Sequence, residues 1–124
     1  MKKKPFSNFD LLTIRYPLTA VISILHRLSG LFVFLLIPFF LWMLQTVTHS
    51  QTGYDHVHAM LMKPGIKFIV WLSLAAFGYH FVAGFRHLIM DIGIGESLAM
   101  ARLTAALTLM FSIIWAILIG IWLW

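Results

Sequence analysis

Polar and apolar positions along this chain fall into blocks. Three stretches carry no charged residue and are dominated by Leu, Ile, Phe, Val and Ala: Leu28 to Val47, Phe68 to Phe85 and Leu103 to Trp124, of 20, 18 and 22 residues. Their borders are polar: Arg27 and Thr48-His49-Ser50 around the first, Lys67 and Arg86 around the second, Arg102 before the third. A helix needs about 20 apolar residues to cross the hydrocarbon core of a bilayer. The pattern therefore predicts an all-α integral membrane fold with three transmembrane helices, at about residues 20–47, 68–90 and 103–124. Pro38 lies mid-span and is expected to kink the first helix.

Outside the spans the pattern weakens. Lys2-Lys3-Lys4 is followed by a mixed segment from Phe6 to Tyr16 instead of an apolar run, which argues against a secretory signal. Asn8 to Tyr16 is mildly amphipathic, so residues 1–19 are read as an interfacial segment leading to the first helix at Tyr16-Pro17. No repeat, low-complexity tract or second domain interrupts residues 1–124, which are read as one membrane-anchor domain. Thr104, Thr108 and Ser112 recur every fourth residue and are read as a small polar packing stripe.

Composition strengthens this picture. Of the 124 residues 61% are hydrophobic and only 10% charged, with a mean hydropathy of +0.94. A soluble domain carries roughly 25% charged residues. Lipid or a partner protein must cover much of the outside. The net charge of +5 is not a nucleic-acid footprint, because seven of the nine Lys and Arg residues flank one side of the spans. Lys2, Lys3, Lys4, Arg15 and Arg27 precede the first span, Arg86 and Arg102 join the second to the third, and only Lys63 and Lys67 fall on the other side. The positive-inside rule then places the N-terminus in the cytoplasm and the C-terminus in the periplasm of a bacterial inner membrane. Trp42, Trp71, Trp122 and Trp124 gather towards the outer interface, as an aromatic belt does.

With no cysteine the chain offers no disulfide, no thiolate metal site and no iron–sulfur cluster of its own. Its six histidines are the available metal ligands. His80, Gly84 and His87 lie at roughly 0°, +40° and −20° around one helix, a narrow face. His80 is about two turns inside the span, where neutral imidazole is a good axial ligand for haem iron. Gly84 would then leave room for a flat macrocycle. A histidine bonded between helices over a close-packing glycine fits the same residues. One histidine at that depth leaves the second ligand of a six-coordinate haem to a partner or a second copy. His49, His56 and His58 have only Asp55 nearby and read as a solvated loop.

A second constellation opens the first helix. Ser23, Arg27 and Gly30 share a face, with His26 about 60° to one side of Ser23. A hydroxyl and a guanidinium there can donate to a quinone carbonyl or an acidic group, or simply snorkel to lipid phosphate and bond back to the helix. Arg27, His26 and Arg86 are within range to pair with haem propionates. Proton-coupled export, another task of short basic-flanked membrane proteins, needs a carboxylate inside the membrane. Asp10, Asp55, Asp91 and Glu96 all lie outside the spans.

The segments TIRYPLTA at 13–20, SILHRLSG at 23–30 and YHFVAGFRHLIMDIG at 79–93 together resemble the cytochrome b large anchor subunit of succinate dehydrogenase. The H-R-x-(S/T)-G and H-x3-G-x-R-H-x3-D elements carry the resemblance, which covers residues 8–124. It implies a membrane anchor of succinate:quinone oxidoreductase, with a partner anchor subunit completing the helical bundle. By the same resemblance His80 is the axial ligand of haem b and Ser23 and Arg27 contact ubiquinone. His26, Arg86 and His87 contact haem propionates or support the site, and Asp91 matches an acidic residue of the motif. The implied partners are a smaller cytochrome b anchor subunit supplying the second axial histidine, an iron–sulfur subunit and a flavoprotein subunit. Where many members read R-P-x-S-P-H, this chain reads Arg15-Tyr16-Pro17-Leu18-Thr19, which points to the proteobacterial-type branch. A fumarate reductase anchor and a haem-free structural anchor are the alternatives.

Overall fold

The computed structural model describes residues 17–124. The amphipathic segment at Asn8 to Tyr16 and the basic residues Lys2, Lys3, Lys4 and Arg15 lie outside the described residues. Four helices follow in order: α1 (Leu18–His49), α2 (Gln51–Leu61), α3 (Pro64–Asp91) and α4 (Leu98–Leu123). Each apolar stretch of the sequence falls on one of the three long helices, α1, α3 and α4, with Trp124 just past the end of α4, and all three helices are long and apolar enough to cross a membrane. The short α2 is an addition: the segment after Thr48 is helical where a loop was expected. Ser50 starts it by accepting a hydrogen bond from the Gly53 amide at 3.0 Å. Gly53 lets α2 fold back on α1, because a Cβ there would strike the Thr46 carbonyl.

Helix ends follow local chemistry. Pro17 caps α1, its carbonyl accepting from the amides of Ala20 at 2.9 Å and Val21 at 3.2 Å. Pro38 lies inside α1, which continues through it as one helix to His49. Pro64 stands at the start of α3, where its lack of an N–H costs nothing. The other end of α3 closes in a Schellman motif: the Gly93 amide donates to Met90 at 2.9 Å and the Ile94 amide to Ile89 at 3.3 Å. Gly93 takes φ +82° to make that turn, a backbone state disfavoured for a residue with a Cβ.

The interior is small and partly polar. Ile22 of α1, Ala83 of α3 and Ala105 of α4 form its centre, with Tyr79 and Leu109 packed beside them. Ser29, Ser73, Thr108 and Ser112 are buried as well. Ser73, Thr108 and Ser112 return their hydroxyls to the carbonyl four residues earlier, at 2.6, 2.9 and 2.7 Å, so no donor is stranded. Large apolar side chains such as Phe34, Phe81 and Leu88 point outward, each 66% exposed. Such an arrangement suits lipid, where close approach of small residues drives helix association and the outside is apolar.

Rings seated on glycines set the spacing of the long helices. Gly78 of α3 accommodates Trp115 of α4, and Gly120 of α4 leaves Trp71 of α3 3.3 Å from where a Cβ would stand. Each indole then donates to a carbonyl of the opposite helix: Trp71 to Ala116 and Trp115 to Leu74, both at 2.9 Å. Trp71 is thus an interhelical tie. The α1–α3 contact uses the same device, with histidines in place of tryptophans.

Candidate functional site

The site forms where the first half of α1 crosses the second half of α3. Tyr79 fixes the crossing by donating its hydroxyl to the Ile22 carbonyl at 2.9 Å. One residue on, His80 swings over α1 so that a Cβ on Gly30 would stand 2.7 Å from its Cε1. In return His26 reaches over α3, with its Nε2 3.0 Å from where a Cβ on Gly84 would be. The two imidazoles stack between these glycines, 4.3 Å apart and only 11° from parallel. Gly84 therefore makes room for the ring of His26. Packing decides this, since a helix wheel shows which side chain is absent but not which neighbour fills the gap.

Hydrogen bonding defines the state of His80. Its Nδ1 lies 3.1 Å from the His26 carbonyl and 3.3 Å from the Ser29 hydroxyl. A carbonyl oxygen only accepts, so Nδ1 carries a proton, and in the neutral ring the lone pair is then on Nε2. Ser29 in turn donates to the same carbonyl at 2.8 Å, leaving its oxygen lone pairs towards Nδ1. This is the tautomer and the support a metal-binding histidine needs.

His87 joins the group from the next two turns of α3, its ring 5.1 Å from that of His26 and tilted by 42°. Its Nε2 is buried without a hydrogen-bond partner. Buried polar atoms are normally satisfied, so an orphan of this kind marks the place of a further group. His26, His80 and His87 are thus one cluster, as their sequence positions suggested.

Arg86 does not join them. It lies about 120° around α3 from His80, is 6% exposed, and turns to α4. There its Nε donates to the Thr104 hydroxyl and its Nη2 to the Ala101 carbonyl, both at 3.1 Å. Adjacency to His87 in sequence places Arg86 on a different flank because neighbours in a helix are about 100° apart. Thr104 accordingly serves as more than a packing residue. Replacing Arg86 by methionine keeps the bulk and removes both bonds, so the α3–α4 pairing should lose about 1–3 kcal/mol. A drop in the thermal midpoint of the detergent-solubilised complex would show it; a wild-type midpoint would mean the clamp contributes nothing.

Ser23 and Arg27 flank His26 on the Gly30 side of α1, Ser23 half-buried and Arg27 exposed. Neither is among the groups bonded to His80. Asp91, the last residue of α3, is exposed. His56 and His58 lie on α2, where His58 stacks on Tyr54 with ring centroids 6.0 Å apart. Among the described residues no three His, Cys, Asp or Glu side chains converge as a metal cluster. Sequence reasoning did not single out Ser29, although it stands in the SILHRLSG segment. Its wheel position lies about 60° from His26, on the side away from Ser23 and Arg27. Only the crossing of α3 shows that side to matter.

Comparison with known proteins shows the family. The family described as succinate dehydrogenase/fumarate reductase transmembrane subunit matches residues 1–119. A succinate dehydrogenase cytochrome b556 subunit of Coxiella burnetii is 39% identical over 123 residues, covering 98% of each chain. Proteins of the same description from Rickettsia typhi and Rickettsia prowazekii are each 31% identical, over 96% of this chain and 92% of theirs.

Proposed function

The chain belongs to the succinate dehydrogenase/fumarate reductase transmembrane subunit family, and on that premise we propose that it is the cytochrome b anchor of a succinate:ubiquinone oxidoreductase. In this reading it holds haem b on His80, helps bind ubiquinone through Ser23 and Arg27, and docks the succinate-oxidising subunits. The relatives named above are succinate dehydrogenase subunits, which favours succinate oxidation over a fumarate reductase role. The observation that carries the haem assignment is the hydrogen bonding of His80, whose Nδ1–H is held by the His26 carbonyl while Nε2 stays free to ligate.

The donor set fits the group. A neutral imidazole with its far nitrogen anchored to a carbonyl is the usual support for a metal-bound histidine. The orphaned Nε2 of His87 is a buried polar atom that, when protonated, would donate to a carboxylate such as a propionate. His80 would hold the haem from this chain, and a histidine of the partner anchor subunit would complete the site. Haem on two histidines supplies one-electron redox chemistry of b type.

The remaining residues bind and orient. Arg27, exposed on α1, presents a fixed positive charge and hydrogen-bond donors where a quinone carbonyl gains negative charge on reduction. Ser23, one turn earlier, offers a second donor. Arg86 supports the site from behind by holding α3 on α4. Asp91, exposed at the end of α3, stands at the acidic position of the motif. A flavoprotein subunit and an iron–sulfur subunit dock on the cytoplasmic side, with the N-terminus, and membrane lipid covers the apolar flanks.

The test is a reduced-minus-oxidised absorption spectrum of the chain purified with its partners. Sharp b-type bands at about one haem per complex are expected. Their absence from an intact, assembled complex would leave a haem-free structural anchor instead.

A further inference from the structure

Two oxygens of α1 face the Nδ1 atom of His80, and they differ in what sequence can change. The His26 carbonyl at 3.1 Å belongs to the backbone and is present whatever the side chain. The Ser29 hydroxyl at 3.3 Å is a side-chain choice. Ser29 is nearly buried, at 9% exposure, yet its hydroxyl does not take the bond four residues back that Ser73, Thr108 and Ser112 take. It donates three residues back, to the His26 carbonyl at 2.8 Å, the same oxygen that His80 uses.

Serine oxygen, carbonyl oxygen and imidazole nitrogen thereby form a closed triangle. Because the hydroxyl proton is spent on the carbonyl, the serine oxygen can only accept from Nδ1–H. The ring is held in one tautomer and one rotation, and Gly30 supplies the space for it: any Cβ there would press on Cε1 and turn the ring away from both oxygens.

We propose that Ser29 is a positioning residue for the metal-binding function of His80, fixing its Nδ1–H tautomer and tuning the electron donation of its Nε2. The proposal rests on His80 being the axial haem ligand. Accepting a hydrogen bond from Nδ1–H gives the imidazole partial imidazolate character, makes Nε2 a stronger donor and favours ferric iron. Removing one of the two acceptors favours ferrous iron and moves the haem midpoint potential to more positive values.

Val and Thr have nearly the same shape and differ in the hydroxyl, so the pair Ser29→Val and Ser29→Thr separates chemistry from volume. In the purified complex Ser29→Thr should keep the wild-type haem midpoint potential and ferric electron paramagnetic resonance signature. Ser29→Val should shift the midpoint positive and alter that signature. If the valine variant does not assemble, Ser29→Ala, smaller than the native residue, takes its place with the same expected shift. Equal midpoints for the hydroxyl and non-hydroxyl variants, or a negative shift, overturn the assignment. His80→Leu separates the two levels: if it keeps the native spectrum, the ligand reading itself fails. If it loses the spectrum while Ser29→Val matches Ser29→Thr, only the role of Ser29 falls.

Discussion

A complex carrying His80→Leu is expected to lose its native b-type absorption, with haem content per complex falling at least tenfold. Losing an outer partner of a metal-bound histidine costs about 10–100-fold in affinity, and losing the ligand itself takes no less. Leucine is close in size and apolar, so it still packs on Gly30 and leaves the α1–α3 crossing held by the Tyr79 bond to Ile22. Failure to bind haem would therefore be separable from failure to fold. His26 is stacked only 4.3 Å away, but its ring lies over Gly84. A pyridine haemochrome assay together with the reduced-minus-oxidised spectrum reads the result. An unchanged spectrum would sink the assignment of His80.

Arg27→Leu should slow quinone reduction about ten- to hundredfold, the loss expected for a hydrogen bond from a charged donor worth about 1.5–3 kcal/mol. Oxidation of succinate with a soluble dye as electron acceptor should persist, because the dye bypasses the membrane site. The prediction is specific because Arg27 is exposed on α1. Its removal empties no core, and the interior of Ile22, Ala83 and Ala105 is untouched. Both assays run on one preparation, so their ratio is insensitive to yield. Equal loss of both activities would argue for an assembly defect and against a quinone contact.

Much of the architecture was legible before any coordinates. Three long uncharged stretches between basic and polar borders leave little choice but spanning helices, and Pro17 stands where α1 begins. That His80 and His87 share one narrow face of α3 was legible too; that both meet His26 of α1 was decided by packing. Helix α2 was not legible. Five of its eleven residues are Gln, Thr, Asp or His, and its order rests on the buried Val57, the Ser50 cap and the close approach of Gly53 to α1. Such a helix owes its order to a neighbour, and short isolated helices are marginal in water.

Gly84 and Arg86 show the limit more sharply. Wheel geometry states the direction in which a residue leaves its own helix but is silent about what meets it. Gly84 reads as clearance, and the clearance is filled by His26 of α1. Arg86 reads as a neighbour of the histidines, and its guanidinium is bonded to α4.

The sequence by itself determined that this protein is a helical membrane subunit and how many apolar spans it has, and it singled out His80. Those properties follow from the free energy of placing residue types in lipid, which acts along each segment separately. The tertiary structure decided the chemistry of that histidine. Its tautomer depends on two oxygens of α1, Ser29 and the His26 carbonyl, more than 50 residues away in the chain. They reach it only because Gly30 and Gly84 let the two helices seat a ring from each other. A hydrogen bond acts over about 3 Å, and only the packed crossing brings those atoms that close.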